Sequence, residues 1–211
     1  MDTQLTLFGF PVSLIEMVGA VVGVIYLVLE YRANRWLWLF GALMPLFYIY
    51  INFKSGIYAN GALNVYYLFA SVYGAICWLR TARKEETGAE ETHLKSLPHR
   101  RIAPVMIAVT VLTAVLALLL KVLGESTMAW LDGFTSALGV VGMLLMAKKY
   151  YQQWICWLIV NPLMVVLYLL HGNYPSMVMY LFYCLFATLG YLRWKRLYEE
   201  DNKKNSLKDN E

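Results

Sequence analysis

Long apolar stretches alternate with short polar breaks along almost the whole chain. The runs cover 11–29, 36–53, 58–79, 102–122, 128–146, 154–170 and 174–192. Each is close to the roughly 20 residues a helix needs to cross a bilayer. Lipid offers no partner to a bare backbone N–H or C=O, so runs of this length fold as helices. The pattern predicts an all-α membrane protein with seven transmembrane helices. Composition changes the picture only by exclusion. Charged residues make up 15 % of the 211-residue chain, against roughly a quarter in soluble domains. Aromatics at 15 % exclude a disordered chain.

Charge then orients the bundle. With the N-terminus outside, sixteen of the eighteen Lys and Arg fall in cytoplasmic segments, leaving only Lys54 and Lys121 outside. Cytoplasmic loops carry the excess of Lys and Arg, so the expected topology is N-terminus outside, C-terminus cytoplasmic. The net charge of +4 comes from these loop cations, which form no single basic face for nucleic acid. The 81–101 segment, with Glu85, Glu86, Glu91 and flanking cations, reads as a solvated cytoplasmic linker. The last residues, 197–211, read as a polar, disordered cytoplasmic tail. The first eleven residues lack Lys and Arg, so the first run is expected to remain as a span rather than serve as a cleaved leader. Cys77, Cys156 and Cys184 sit in apolar runs and form no extracellular disulfide framework.

A displacement of 116 positions registers 15–80 on 131–196 without a gap. Ten positions are then identical, and eight of these are Gly, Trp, Tyr or Arg, including Trp38/Trp154, Gly74/Gly190, Trp78/Trp194 and Tyr67/Tyr183. Chance matches would favour Leu and Val instead. The expected organisation is a first three-helix repeat at 11–80, a loop and linker helix at 81–127, and a second repeat at 128–196. An odd linker helix restores the starting side, so the repeats are parallel in a 3+1+3 arrangement. Small carriers use such plans, with substrate bound near the midplane between the halves.

The candidate chemistry lies in the third and sixth runs. Trp154, Trp157 and Asn161 follow i, i+3, i+7 spacing, one helical face, and Pro162 offers a kink. Two indoles above an amide would form a slot for a flat cationic heteroaromatic ring, drawn by the ring quadrupole. Trp154 at its run's end also suits an interfacial belt. Asn60, Asn64 and Tyr67 form a second stripe, continued by Ser71 and matched in the other repeat by Ser176, Tyr180 and Tyr183. These groups suit a hydroxyl-bearing substituent or bonds between helices. Glu16 and Asp132 correspond by the same displacement. They fit either a vestibule that attracts cations or helix-end caps.

Nucleophile motifs, phosphate loops and metal-ligand clusters are absent from the sequence, so neither an enzyme nor a metal or cofactor is expected. His93 and His99 fall in the loop, and His171 in a short turn.

The run Trp154-Ile-Cys-Trp157-Leu-Ile-Val-Asn161 resembles the Trp-x-x-Trp…Asn signature of the PnuC-type vitamin transporters, which import nicotinamide riboside. Ile15-Glu16-Met-Val-Gly19, Trp130-Leu-Asp132, Gly56-Ile-Tyr58-Ala59 and Val72-Tyr73-Gly74 are similar too, in the same order along the chain. The resemblance implies facilitated diffusion in a bacterial inner membrane, with accumulation by cytoplasmic phosphorylation and no ATP or coupling ion. It implies substrate contacts from Trp154, Trp157 and Asn161, and a homotrimer. Asn64, Met44 and Met179 depart from the family pattern. A PnuT-like thiamine carrier is therefore the alternative, and a membrane receptor or interaction protein a second one.

Overall fold

Each apolar run becomes one helix, with ends close to those expected. They are α1 (Leu14–Tyr31), α2 (Leu37–Lys54), α3 (Tyr58–Glu86), α4 (His99–Leu123), α5 (Ala129–Ala147), α6 (Gln153–Leu170) and α7 (Tyr174–Lys208). The computed structural model describes residues 4–7, 10–86, 94–124 and 126–208, with side chains over 21–82, 94–124, 126–204 and 206–207. Among the described residues, α2 to α7 are each long and apolar enough to cross a membrane.

Three boundaries correct the sequence expectation. The chain opens with an antiparallel hairpin, β1 (Gln4–Leu7) and β2 (Phe10–Ser13), so the first helix starts at Leu14 rather than 11. The ladder runs from Gln4 opposite Ser13 to Leu7 opposite Phe10. Helix α3 runs on to Glu86 through the start of the presumed loop. The tail expected to be disordered continues α7 as far as Lys208. Lys195 and Glu199, one turn apart, approach to 3.9 Å there, and such i,i+4 pairs support helix without apolar burial.

The remaining linker is docked. Leu94 is buried, and Lys95 forms a parallel bridge with Tyr150. The Lys95 N–H donates to the Lys149 carbonyl at 2.8 Å, and the Tyr151 N–H to the Lys95 carbonyl at 3.1 Å. Gln152 adds bonds to Ser96 Oγ and the Leu97 N–H, each 2.9 Å. Glu91 and His93 lie outside the described residues; His99 opens α4.

Helix ends repeat at the displacement seen in the sequence. Ala33 and Lys149, just past α1 and α5, hold positive φ of 51° and 61°. Gly56 and Gly172 do the same past α2 and α6, at 74° and 68°. A left-handed residue lets the following N–H reach back to the helix's last carbonyls. Asn34 bonds the Leu29 carbonyl, and Tyr150 bonds that of Leu145.

Neighbours in sequence pack as neighbours in space: α2 on α3, α6 on α7, and α4 on α5. Two further contacts cross between the three-helix sets, α3 on α5 and α7 on α1. Helix α4 approaches α5 closely at Gly133, where a Cβ would fall 2.7 Å from the Ala117 backbone nitrogen.

Four buried indoles form the core at the end bearing the α1–α2 and α5–α6 turns. Trp38 and Trp78 meet edge to face at 5.8 Å, as do Trp154 and Trp194 at 5.8 Å. Trp78 and Trp194 join the pairs at 6.3 Å. Trp78 Nε1 donates to the Met146 carbonyl at 3.2 Å, and Trp194 Nε1 to the Glu30 carbonyl at 3.0 Å. Trp38 lies over Gly74 and Trp154 over Gly190, where a Cβ would come within 2.3 Å and 2.4 Å of the indoles. Only glycine lets the paired helices close on a ring this tightly.

Candidate functional site

A cavity of about 450 Å³ lies among α3, α4, α5, α6 and α7. Helix α3 contributes Ala59, Asn60, Leu63 and Tyr67, spaced to fall on one face. Helix α5 presents Asp132, Thr135, Ser136 and Gly139 by the same rule. From α6 come Trp157, Val160, Met164, Leu167 and Tyr168, and from α7 Tyr180. Leu116, Leu119 and Leu120 of α4 close the remaining side. A mostly apolar wall with a few convergent polar groups is the usual make-up of a small-molecule site, and its volume falls within the roughly 300–1,000 Å³ such sites span.

Of the eight residues singled out in the sequence, the cavity gathers four: Trp157, Tyr67, Tyr180 and Asn60. Tyr67 reaches across to α5, where a Cβ at Gly139 would sit 2.6 Å from its hydroxyl. Tyr180 packs against Tyr168 at 5.4 Å with the rings tilted by 33°, and edge to face against Tyr183 at 5.3 Å. Tyr183 thus stands one ring behind the wall, its hydroxyl toward Gly23 of α1.

The other residues have local engagements. Trp154 is only 1 % exposed and belongs to the indole core, with no hydrogen-bond partner for its Nε1 among the described residues. It does not pair with Trp157 around a common slot: one indole faces α7, the other the cavity. Asn161 is buried on α6 beside Pro162, which lies inside the helix. Asn64 turns back on its own helix, donating from Nδ2 to the Asn60 carbonyl at 2.8 Å. Ser71 is buried beneath Gly41 of α2, and the Ser176 backbone N–H donates to Asn173 Oδ1, which caps the start of α7. The side chain of Glu16 lies outside the described residues; Asp132 lines the cavity.

Sequence reasoning missed the groups that hold Trp157. Its Nε1 donates to Gln153 Oε1 at 2.6 Å, and Gln153 Nε2 donates to Glu30 Oε1 at 3.0 Å. Glu30 and Gln153 are almost wholly buried. The chain of bonds ties the cavity wall on α6 to a carboxylate on α1. A signal for it existed: Glu30 directly follows the first apolar run, and Gln153 stands one turn before Trp157.

This architecture has known counterparts. The family model described as Nicotinamide mononucleotide transporter matches residues 13–196. A nicotinamide riboside transporter PnuC from Neisseria mucosa is 30 % identical over 92 % of this chain and 77 % of its own. The PnuC of Escherichia coli K12 is 26 % identical over 88 % of this chain and 87 % of its own. A crystal structure of the vitamin B3 transporter PnuC superposes with a TM-score of 0.68 at 28 % identity, covering 87 % of this chain and 81 % of that one.

Proposed function

Because the chain belongs to the nicotinamide mononucleotide transporter family, we propose that it imports nicotinamide riboside through the cavity lined by Trp157. Membership makes it a multi-pass transporter of the bacterial inner membrane, not an enzyme. One observation carries the substrate reading. An indole, three tyrosines and an amide converge on one cavity of suitable size in a chain related to riboside carriers. Trp157 offers a flat face to the pyridinium ring, which the indole quadrupole attracts. Tyr67, Tyr180 and Asn60 supply hydroxyls and an amide for the ribose. Trp154, Asn161, Asn64 and Tyr183 act at one remove, holding α6, α3 and α7 in place.

Residues 11–80 and 128–196 are two parallel copies of one unit, with the N-terminus outside and the C-terminus in the cytoplasm. Support comes from the Trp38–Gly74 and Trp154–Gly190 contacts, the matched left-handed caps and the reciprocal indole bonds, all displaced by the same interval. The units rock against each other across the α3–α5 and α1–α7 contacts to give alternating access. Transport is facilitated diffusion, the cytoplasmic phosphorylation of the riboside trapping it. The family's homotrimer is the expected assembly, with bilayer lipid around it.

Uptake of labelled nicotinamide riboside into liposomes holding the purified protein tests this. Uptake is expected to stop at equal concentrations inside and out, and to continue only when a riboside kinase and ATP are enclosed. Unlabelled riboside is expected to compete more strongly than thiamine. Stronger competition by thiamine would reassign the vitamin. Absence of uptake for both would leave the receptor reading.

A further inference from the structure

Among the described lining residues of the cavity, Asp132 is the single charged side chain. It stands in the first turn of α5 and accepts a hydrogen bond from Ser126 Oγ. Thr135 Oγ1 bonds its backbone carbonyl at 3.1 Å, which keeps the hydroxyl on the helix. Tyr168 and Tyr180 line the same cavity with rings 5.4 Å apart and inclined by 33°. No Lys, Arg or His joins them in the described wall.

A carboxylate lining a cavity inside a transmembrane bundle needs a compensating group, and such residues mark substrate paths. The start of α5 supplies part of this through its helix dipole. A cationic guest would supply the rest, and tyrosine faces beside the carboxylate attract the same charge. From Asp132 to Gly142, which touches Trp157, ten residues of helix span roughly 15 Å. Asp132 and Trp157 therefore address opposite ends of the cavity.

We propose that Asp132, with the Tyr168 and Tyr180 rings, forms a separate station that selects planar organic cations before they reach Trp157. This rests on the vitamin-transport reading above and adds to it a residue that sets specificity by charge. The carboxylate reads the fixed positive charge of the pyridinium ring and has no means to favour an uncharged ring of the same outline.

The test compares nicotinamide riboside with its dihydro form, which has the same sugar and an uncharged ring, as competitors for uptake in liposomes. Wild type is expected to favour the cation by about tenfold or more, the effect of one close charge pair at intermediate dielectric. Asp132→Asn should bring the ratio near parity, and Asp132→Glu should keep it. A ratio unchanged in Asp132→Asn, or both competitors weakened alike, overturns the proposal while leaving riboside transport standing. Wild type that transports neither form overturns both. Should Asp132→Asn fail to fold, salt serves instead on the wild type. Apparent affinity for the cation should fall as ionic strength rises, and that for the dihydro form should not; parallel curves overturn the station.

Discussion

Two corners of the indole core occupy corresponding places and are built from opposite chemistry. In one, Glu30 of α1 meets Gln153 of α6 by a 3.0 Å hydrogen bond, and Gln153 holds Trp157. In the other, the corresponding positions are Met146 of α5 and Leu37 of α2, both fully buried in the apolar core. The neighbouring pair is exchanged as well. Trp157 packs on Gly142, whereas its counterpart Gly41 receives the ring of Tyr26. Dispersion holds the apolar corner and tolerates small adjustments. The polar corner is held by directed bonds at low dielectric, where a complete network fixes geometry and an incomplete one is penalised. The indole facing the cavity hangs from the directed corner.

The largest effect is expected from breaking the polar corner on one side. Gln153→Leu strands the Glu30 carboxyl group and the Trp157 N–H, at about 1–3 kcal/mol for each buried polar group left without its partner. The double variant Glu30→Met with Gln153→Leu copies the other corner and should recover to within about 1 kcal/mol of wild type. Denaturant unfolding in detergent completes this double-mutant cycle; equal losses in single and double variants would show that the corners are not alternatives. Next come the glycines beneath the indoles. Gly74→Ala and Gly190→Ala should each cost about 1–3 kcal/mol by overpacking. Riboside uptake should fall further in Gly190→Ala, because α6 carries Trp157, and equal uptake losses would remove the functional difference between the halves. Trp157→Ala should lower uptake at least about tenfold, or about 1.4 kcal/mol, with less change in melting temperature than either glycine variant. The smallest effects concern the left-handed caps. Ala33→Gly should stabilise by a few tenths of a kcal/mol, about what relief of an L-residue at positive φ leaves after backbone entropy. Lys149→Gly should gain nothing, since the Lys149 ammonium lies 4.9 Å from the Trp78 ring centroid and that contact is worth about 0.5–1 kcal/mol.

The helices were legible because lipid makes apolar length a direct reading of span. Their polar extensions were not. Residues 193–208 extend α7 through propensity and pairs such as Lys195–Glu199, which leave no apolar trace. The opening hairpin escaped because only the end of its second strand overlaps the first run, where apolar content suits strand and helix alike. At the site, Trp157 was legible from spacing, but its partner was not. Trp154 shares the broad face with Trp157, yet Gly190 on α7 opens a seat for it in the core. That decision depends on a residue thirty-six positions away. Glu30 and Gln153 were passed over because polar residues near basic turns ordinarily face water. Only the fold buries them, with α1 packed on α7 and Gln153 of α6 bonded to Glu30.

The linker strap at Lys95 joins α4 to the α5–α6 turn mainly through peptide groups and the Gln152 amide. A clasp made from main-chain atoms asks almost nothing of the side chain at that position. Lys95 can therefore drift in mutation without loosening the clasp, while a proline there, lacking the donor, would unfasten it. In the rocking proposed above, this clasp would carry α4 along with α5 and α6.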